Sequence, residues 1–185
     1  EALPAPLYAR WRARFGVEII EGLGSAELFH IHVSNRPGDV HPGTLGRVVP
    51  GYEARVVRDD GSDAPAGEIG ALWVRGGSRA LHYEDDPERT AQVFRADGWV
   101  ATSDKVRCEE GVFSFEGRSD DMLKVGGIYV SPLEVESVLL QHPVVSECAV
   151  VAYEDDAGLV KPKAVVVCRD GAPREDGALF GELDA

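Results

Sequence analysis

The sequence predicts an α/β segment followed by a β-rich subdomain and then a small α+β unit. Three observations predict it. Residues 7–27 read as a helix, a short strand and a glycine-rich turn, an order found in open α/β sheets. Residues 44–116 carry short β-type runs cut by turn clusters. After residue 119 come a hairpin, one helix and two strands. Composition permits this: of 185 residues, 44% are hydrophobic, enough to pack one large domain or two small ones.

The elements follow in order. Tyr8, Trp11 and Phe15 share one face of a helix over 7–15, and Gly16 closes it. Val17–Ile20 reads as a strand, and Gly22-Leu23-Gly24-Ser25-Ala26-Glu27 as the turn at its C-terminal end, the edge where open α/β sheets bind ligands. Asp59-Asp60-Gly61, Ala64-Pro65-Ala66-Gly67 and Glu109-Glu110-Gly111 separate runs such as Tyr52–Val57, Ile69–Val74 and Val112–Phe115, which predicts a small antiparallel sheet or barrel. Pro87 opens a short helix to Phe94. Trp99 to Asp104 ends in an acid that follows a strand.

Met122 to Val130 reads as a hairpin turning at Gly126-Gly127. Ser131, Pro132 and Glu134 form a capping box, with proline where its missing N–H costs nothing. Val135, Val138 and Leu139 continue as one apolar stripe of a helix over 132–141, and His142-Pro143 ends it. Strands are expected at 144–152 and 163–168, followed by a polar stretch and an opening helix.

Charge excludes some classes. Nineteen basic against 32 acidic residues leave −13, with no basic footprint for nucleic acid or for an anionic membrane surface. No uncharged apolar run approaches the roughly 18–20 residues of a spanning helix. The first residues show no basic region before an apolar stretch, and Cys108, Cys148 and Cys168 lack paired metal spacing. Cytoplasm is the expected location.

The run Gly117-Arg118-Ser119-Asp120-Asp121-Met122-Leu123-Lys124-Val125-Gly126-Gly127, ending in the Pro132 helix, carries the strongest signal. It resembles the hinge signature of the acyl-adenylate-forming enzymes: acyl- and aryl-CoA ligases, luciferases and peptide-synthetase adenylation domains. The segment Gly24 to Gly38 looks like the benzoate-CoA ligase branch. The resemblance covers roughly residues 7–170.

What the resemblance implies is specific. Residues 1–118 would be the C-terminal part of a large adenylating domain, with 44–116 as its β-rich subdomain. Residues 119–185 would be the hinge and a truncated small C-terminal domain. ATP or AMP would meet Gly24, Ser25, Ala26, Glu27, Asp104 and Arg118, with Asp104 accepting both ribose hydroxyls and Glu27 holding Mg²⁺. His30 and Ile31 would line the pocket of a small aromatic carboxylic acid. Asp120 would be the hinge. Lys124, Gly126 and Gly127 would meet coenzyme A, and Lys124 is the one candidate for a catalytic side chain. Three positions depart from the pattern: Leu23 stands for an aromatic residue, Ala26 for threonine and Ser103 for glycine.

The family's phosphate loop and adenylation lysine would lie before residue 1 and beyond Ala185. The chain is therefore expected to be part of an ATP-dependent aryl-CoA ligase and inactive alone, with homodimerisation or self-association through an uncovered apolar face. Two other readings stand beside it: a non-catalytic remnant that binds nucleotide weakly or packs on a partner, and part of a peptide-synthetase adenylation domain.

Overall fold

The computed structural model describes residues 3–119, 121–126, 128–155 and 158–169. The chain divides into two compact units, Glu1–Asp120 and Asp121–Ala185.

The first unit opens with helix α1 (Ala5–Phe15), started by proline and closed by the left-handed Gly16, whose N–H donates to Arg12 O. Tyr8 is buried, but Trp11 and Phe15 stay exposed with ring centroids 4.3 Å apart. The expected strand Val17–Ile20 does not form. These residues have strand composition but no ladder partner among the described residues, and a strand is made by its partner.

The strand lies instead in the glycine-rich segment, where a turn was expected. Strand β1 (Gly22–Ser25) leads through a 3₁₀ turn (Ala26–Leu28) into β2 (His30–Ser34), which pairs in turn with β3 (Arg47–Val48). The glycines serve close approach: a Cβ on Gly24 would sit 2.8 Å from the His30 carbonyl oxygen.

A second antiparallel sheet holds β4 (Tyr52–Val57), β5 (Gly70–Gly76), β6 (Val100–Glu109) and β7 (Val112–Arg118) in sequential order. The two sheets are linked where Leu45 N donates to Phe113 O and Phe113 N to Gly46 O, both at 2.8 Å. Gly46 has φ +85°, and a Cβ there would lie 2.4 Å from Asn35 N. The shared core includes Leu28, Val33, Val56, Leu72, Val74, Val100, Val106 and Phe113. Between β5 and β6, helix α2 (Pro87–Val93) is capped by Asp86, which accepts from Arg89 N at 2.9 Å, and Phe94 ends it.

In the second unit β8 (Leu123–Val125) and β9 (Ile128–Val130) pair as a hairpin. Helix α3 (Pro132–Leu139) follows, with Ser131 Oγ accepting from Glu134 N at 3.2 Å. It stops two residues before the expected end. Leu139 and Val135 pack into the core with Leu123 and Val150, whereas Val138 is 62% exposed, off the expected stripe. Glu136 reaches across to accept from Val150 N at 2.7 Å. Strands β10 (Val145–Glu154) and β11 (Val160–Cys168) form a longer hairpin than expected, because Pro162 sits within β11, where a two-stranded ribbon leaves an edge to tolerate it.

Candidate functional site

Two walls of the first unit define a cleft of about 1090 Å³. The first wall is β1 and the 3₁₀ turn. Glu27 Oε1 accepts from the Tyr83 hydroxyl at 2.5 Å, and Glu27 O accepts from Ala80 N at 2.8 Å. Both ends of the residue are thereby tied to the segment entering α2. Tyr83 is itself held: its N–H donates to Thr90 Oγ1 at 2.9 Å, its ring packs on Phe94 with centroids 5.3 Å apart, and the Arg89 guanidinium lies 4.7 Å over it. Burial pushes the Glu27 carboxyl up, but Tyr83, its own backbone, Ser25 and Arg89 outweigh that and leave it below the usual range. The Ser25 hydroxyl is buried beside it, outside full hydrogen-bond geometry. The Tyr83 phenol is pushed up by burial and by donating to Glu27.

The second wall is β6 and β7. Asp104 is not the acid after a strand that the sequence suggests; it lies within β6. Ala71 pairs with Lys105 and Trp73 with Ala101, so Thr102, Ser103 and Asp104 bulge opposite the single residue Leu72. Thr102 Oγ1 anchors the bulge by donating to Leu72 O at 2.9 Å. Asp104 is paired directly across from Arg118. The Arg118 Nη2 donates to Ser103 Oγ at 2.8 Å, so the serine at this departing position holds the guanidinium. Burial pushes the Asp104 carboxyl up; Arg118 and Thr102 pull it back only in part, and the Glu27 charge pushes it further. Two acids at opposite walls therefore sense one another.

Leu23, Gly24, Ser25, Ala26, Glu27, Asp104 and Arg118 all line the cleft, as do Tyr83, Arg89, Thr102, Ser103 and Phe115. Glu27 and Asp104, 77 residues apart in the sequence, thus meet at one place. His30 and Ile31 do not line it. They begin β2, exposed, with His30 stacked on Tyr52 at 6.0 Å between centroids. Lys124 and Gly126 belong to the second unit, where both are exposed and the Lys124 Nζ lies 5.3 Å over the Tyr129 ring. Asp120 and Gly127 lie outside the described residues.

Sequence reasoning missed Tyr83, Arg89 and Thr102. Asp86-Pro87 marks the helix start beside Tyr83, but no local pattern links a tyrosine to an acid 56 residues away.

The cleft's donor set fits a small hard cation brought with phosphates. Among the described residues no three His, Cys, Asp or Glu side chains gather into a cage. Mg²⁺ does not require one, since it binds through one or two carboxylates with waters and substrate phosphates. With Oε1 engaged by Tyr83, Oε2 of Glu27 is the oxygen such an ion would take. A buried, acceptor-only carboxylate such as Asp104 suits two hydroxyl donors, and a guanidinium suits phosphate.

Known proteins resemble this chain over nearly its whole length. The AMP-binding enzyme family matches residues 1–84, and its C-terminal domain matches residues 134–184. A benzoate–CoA ligase of Thauera aromatica is 51% identical over 173 residues, 92% of this chain and 33% of that protein. A 4-hydroxybenzoate–CoA/benzoate–CoA ligase of Rhodopseudomonas palustris is 45% identical over 99% of this chain and 34% of its own length. Among solved structures, the anthranilate CoA ligase AuaEII in complex with anthranoyl-AMP superposes with TM-score 0.86 at 48% identity, covering 99% of this chain and 35% of that one. A benzoate CoA ligase from Burkholderia xenovorans LB400 gives 0.85 at 46% identity, covering 99% and 36%. The chain spans about a third of the length of the relatives it matches.

Proposed function

We propose that this chain, which belongs to the AMP-binding enzyme family, supplies part of the nucleotide site of an aryl-CoA ligase. The observation that carries the reading is the convergence of Glu27, Asp104 and Arg118 on one cleft. The whole protein's reaction has two steps. An aromatic carboxylate attacks the α-phosphate of ATP, the bond to pyrophosphate breaks, and aryl-AMP forms. The sulfur of coenzyme A then attacks the acyl carbon, AMP leaves, and the thiol proton is released.

The obstacle in the first step is electrostatic, because two anions must meet. Mg²⁺, when bound, supplies charge neutralisation at the phosphates. Asp104 takes the ribose hydroxyls. Arg118, steadied by Ser103 Oγ, offers its guanidinium to phosphate. Glu27 offers its second oxygen to the cation. Leu23 gives the adenine an apolar face in place of an aromatic one.

The remaining assignments rest on the resemblance in sequence. His30 and Ile31 contact the aromatic acid. Lys124, Gly126 and Gly127 meet coenzyme A, with the second unit turning about Asp120 between the steps. Leu7, Trp11 and Phe15 form an exposed apolar face through which chains self-associate. The protein works in the cytoplasm, a reducing compartment that suits its three free cysteines.

The test is pyrophosphate release by the natural-length polypeptide with ATP, Mg²⁺ and benzoate. Acid-dependent release lost on Asp104→Asn supports the reading. Release that ignores the acid, or survives the substitution, overturns it.

A further inference from the structure

We infer that Tyr83 is a positioning residue: its phenol fixes the Glu27 carboxylate so that one oxygen is presented to a nucleotide-bound cation. The inference rests on the reading of the cleft as a nucleotide site.

A carboxylate on a 3₁₀ turn has a free χ3 torsion, and its two oxygens exchange readily when nothing holds them. Here Oε1 is held by the Tyr83 hydroxyl at 2.5 Å, a charge-assisted hydrogen bond. That leaves Oε2 as the candidate ligand atom, with Ser25 and the residue's own backbone also close to the carboxylate. The phenol is a rigid arm because its base is fixed at three places. Its backbone N–H is tied to Thr90 at 2.9 Å, its ring lies against Phe94, and Arg89 covers the ring at 4.7 Å. Thr90 Oγ1 in turn donates to Asp86 O at 2.7 Å, at the cap of α2. The capped helix therefore sets where the phenol stands, and the phenol sets where the carboxylate points. Ala80 N, bonded to Glu27 O at 2.8 Å, fixes the backbone of the same turn. Lining by both Tyr83 and Glu27 places the pair on the cleft surface, where a phosphate-bound cation would reach the second carboxylate oxygen.

Arg89 also bears on the pair. It faces Tyr83 from α2 and carries the charge that favours the ionised carboxylate. It is the group that would sustain the Glu27 charge when the phenol is lost.

The experiment is titration calorimetry of ATP into the natural-length protein, with Mg²⁺ and then with EDTA. The proteins compared are unsubstituted, Tyr83→Phe, Glu27→Gln and Asp104→Asn, with melting curves for each. Tyr83→Phe keeps the ring against Phe94 and removes only the hydroxyl. The expected result is an unchanged melt, a loss of about tenfold or more in Mg·ATP affinity, and no loss in EDTA. Equal losses with and without Mg²⁺ would mean a structural role and overturn the inference. If Glu27→Gln weakens Mg·ATP while Tyr83→Phe does not, Tyr83 positions nothing and the nucleotide reading stands. If neither Glu27→Gln nor Asp104→Asn affects binding, the reading of the cleft fails and this inference fails with it. Should Tyr83→Phe melt early, Thr90→Val, which loosens the arm but keeps the phenol, is expected to lose Mg²⁺-dependent affinity alone, and a retained affinity contradicts the inference.

Discussion

Asp104 and Arg118 stand directly opposite one another in the ladder between β6 and β7, a buried carboxylate facing an exposed guanidinium across one strand spacing. The pairing sets the electrostatics of that wall. Burial raises the Asp104 carboxyl and Arg118 is the main counterweight.

The first consequence concerns stability. A carboxyl whose folded pKa is raised adds stability below its unfolded pKa, and that contribution is lost as pH rises through the folded value. At neutral pH the ionised Asp104 is therefore a cost to the fold. Asp104→Asn should melt no earlier than the parent, while nucleotide affinity falls by about tenfold or more as an acceptor becomes a donor. Thermal melting and calorimetry on the same samples check this. Early melting together with retained binding would be the wrong result.

The second concerns pH. The proposed ribose contact needs Asp104 ionised, and Arg118 is the main influence that lowers its pKa. Arg118→Gln should shift the acidic limb of ATP binding to higher pH. Affinity measured across pH 4 to 8 reads the shift; a uniform loss at every pH would mean that Arg118 acts only on phosphate.

His32 provides a third. It is fully buried, both ring nitrogens lack a partner, and burial, with His30 nearby, pushes its pKa down to about 4. Between the ordinary value and that one, the unfolded chain takes up a proton that the fold refuses. Stability thus rises with pH across that window and falls as acid is added, by up to about 3 kcal/mol at the low end. His32→Phe, which keeps a ring beside Tyr52, should flatten that slope and raise the melting temperature at pH 7. Denaturant midpoints at pH 4.5 and 7 decide it; an unchanged slope assigns the acid lability elsewhere.

A fourth lies in the second unit. Ser131 Oγ caps α3, and Ser131→Ala should destabilise that unit by about 1 kcal/mol. Amide exchange in α3 and β10 would show faster opening there, with the first unit's amides unchanged. Protection unaltered in α3 would show that the cap contributes nothing.

What the sequence made legible was local chemistry. The Ser131-Pro132-Glu134 box, the hairpin signal after Met122 and the Pro87 helix start each encode their geometry within a few residues, and α3, the β8–β9 pair and α2 appeared. Pairing was less legible. Val17–Ile20 had the better strand composition, yet Gly22–Ser25 became the strand because it pairs with β2, an approach that glycine at positions 22 and 24 permits. The bulge at Thr102 to Asp104 depends on registers with two neighbours, which no single segment encodes. In the cleft, Glu27, Asp104 and Arg118 were found through motifs, whereas Tyr83 was not, because its partner is fixed by tertiary contact.

The most direct measurement of the proposed function is acyl-CoA formation by the natural-length polypeptide, with benzoate and a long-chain acid competing for limiting ATP and coenzyme A. Benzoyl-CoA should dominate, with AMP and pyrophosphate released in equal amounts and all products lost on Asp104→Asn. Preference for the long-chain acid, or aryl-CoA formed undiminished by the Asp104 variant, would contradict it.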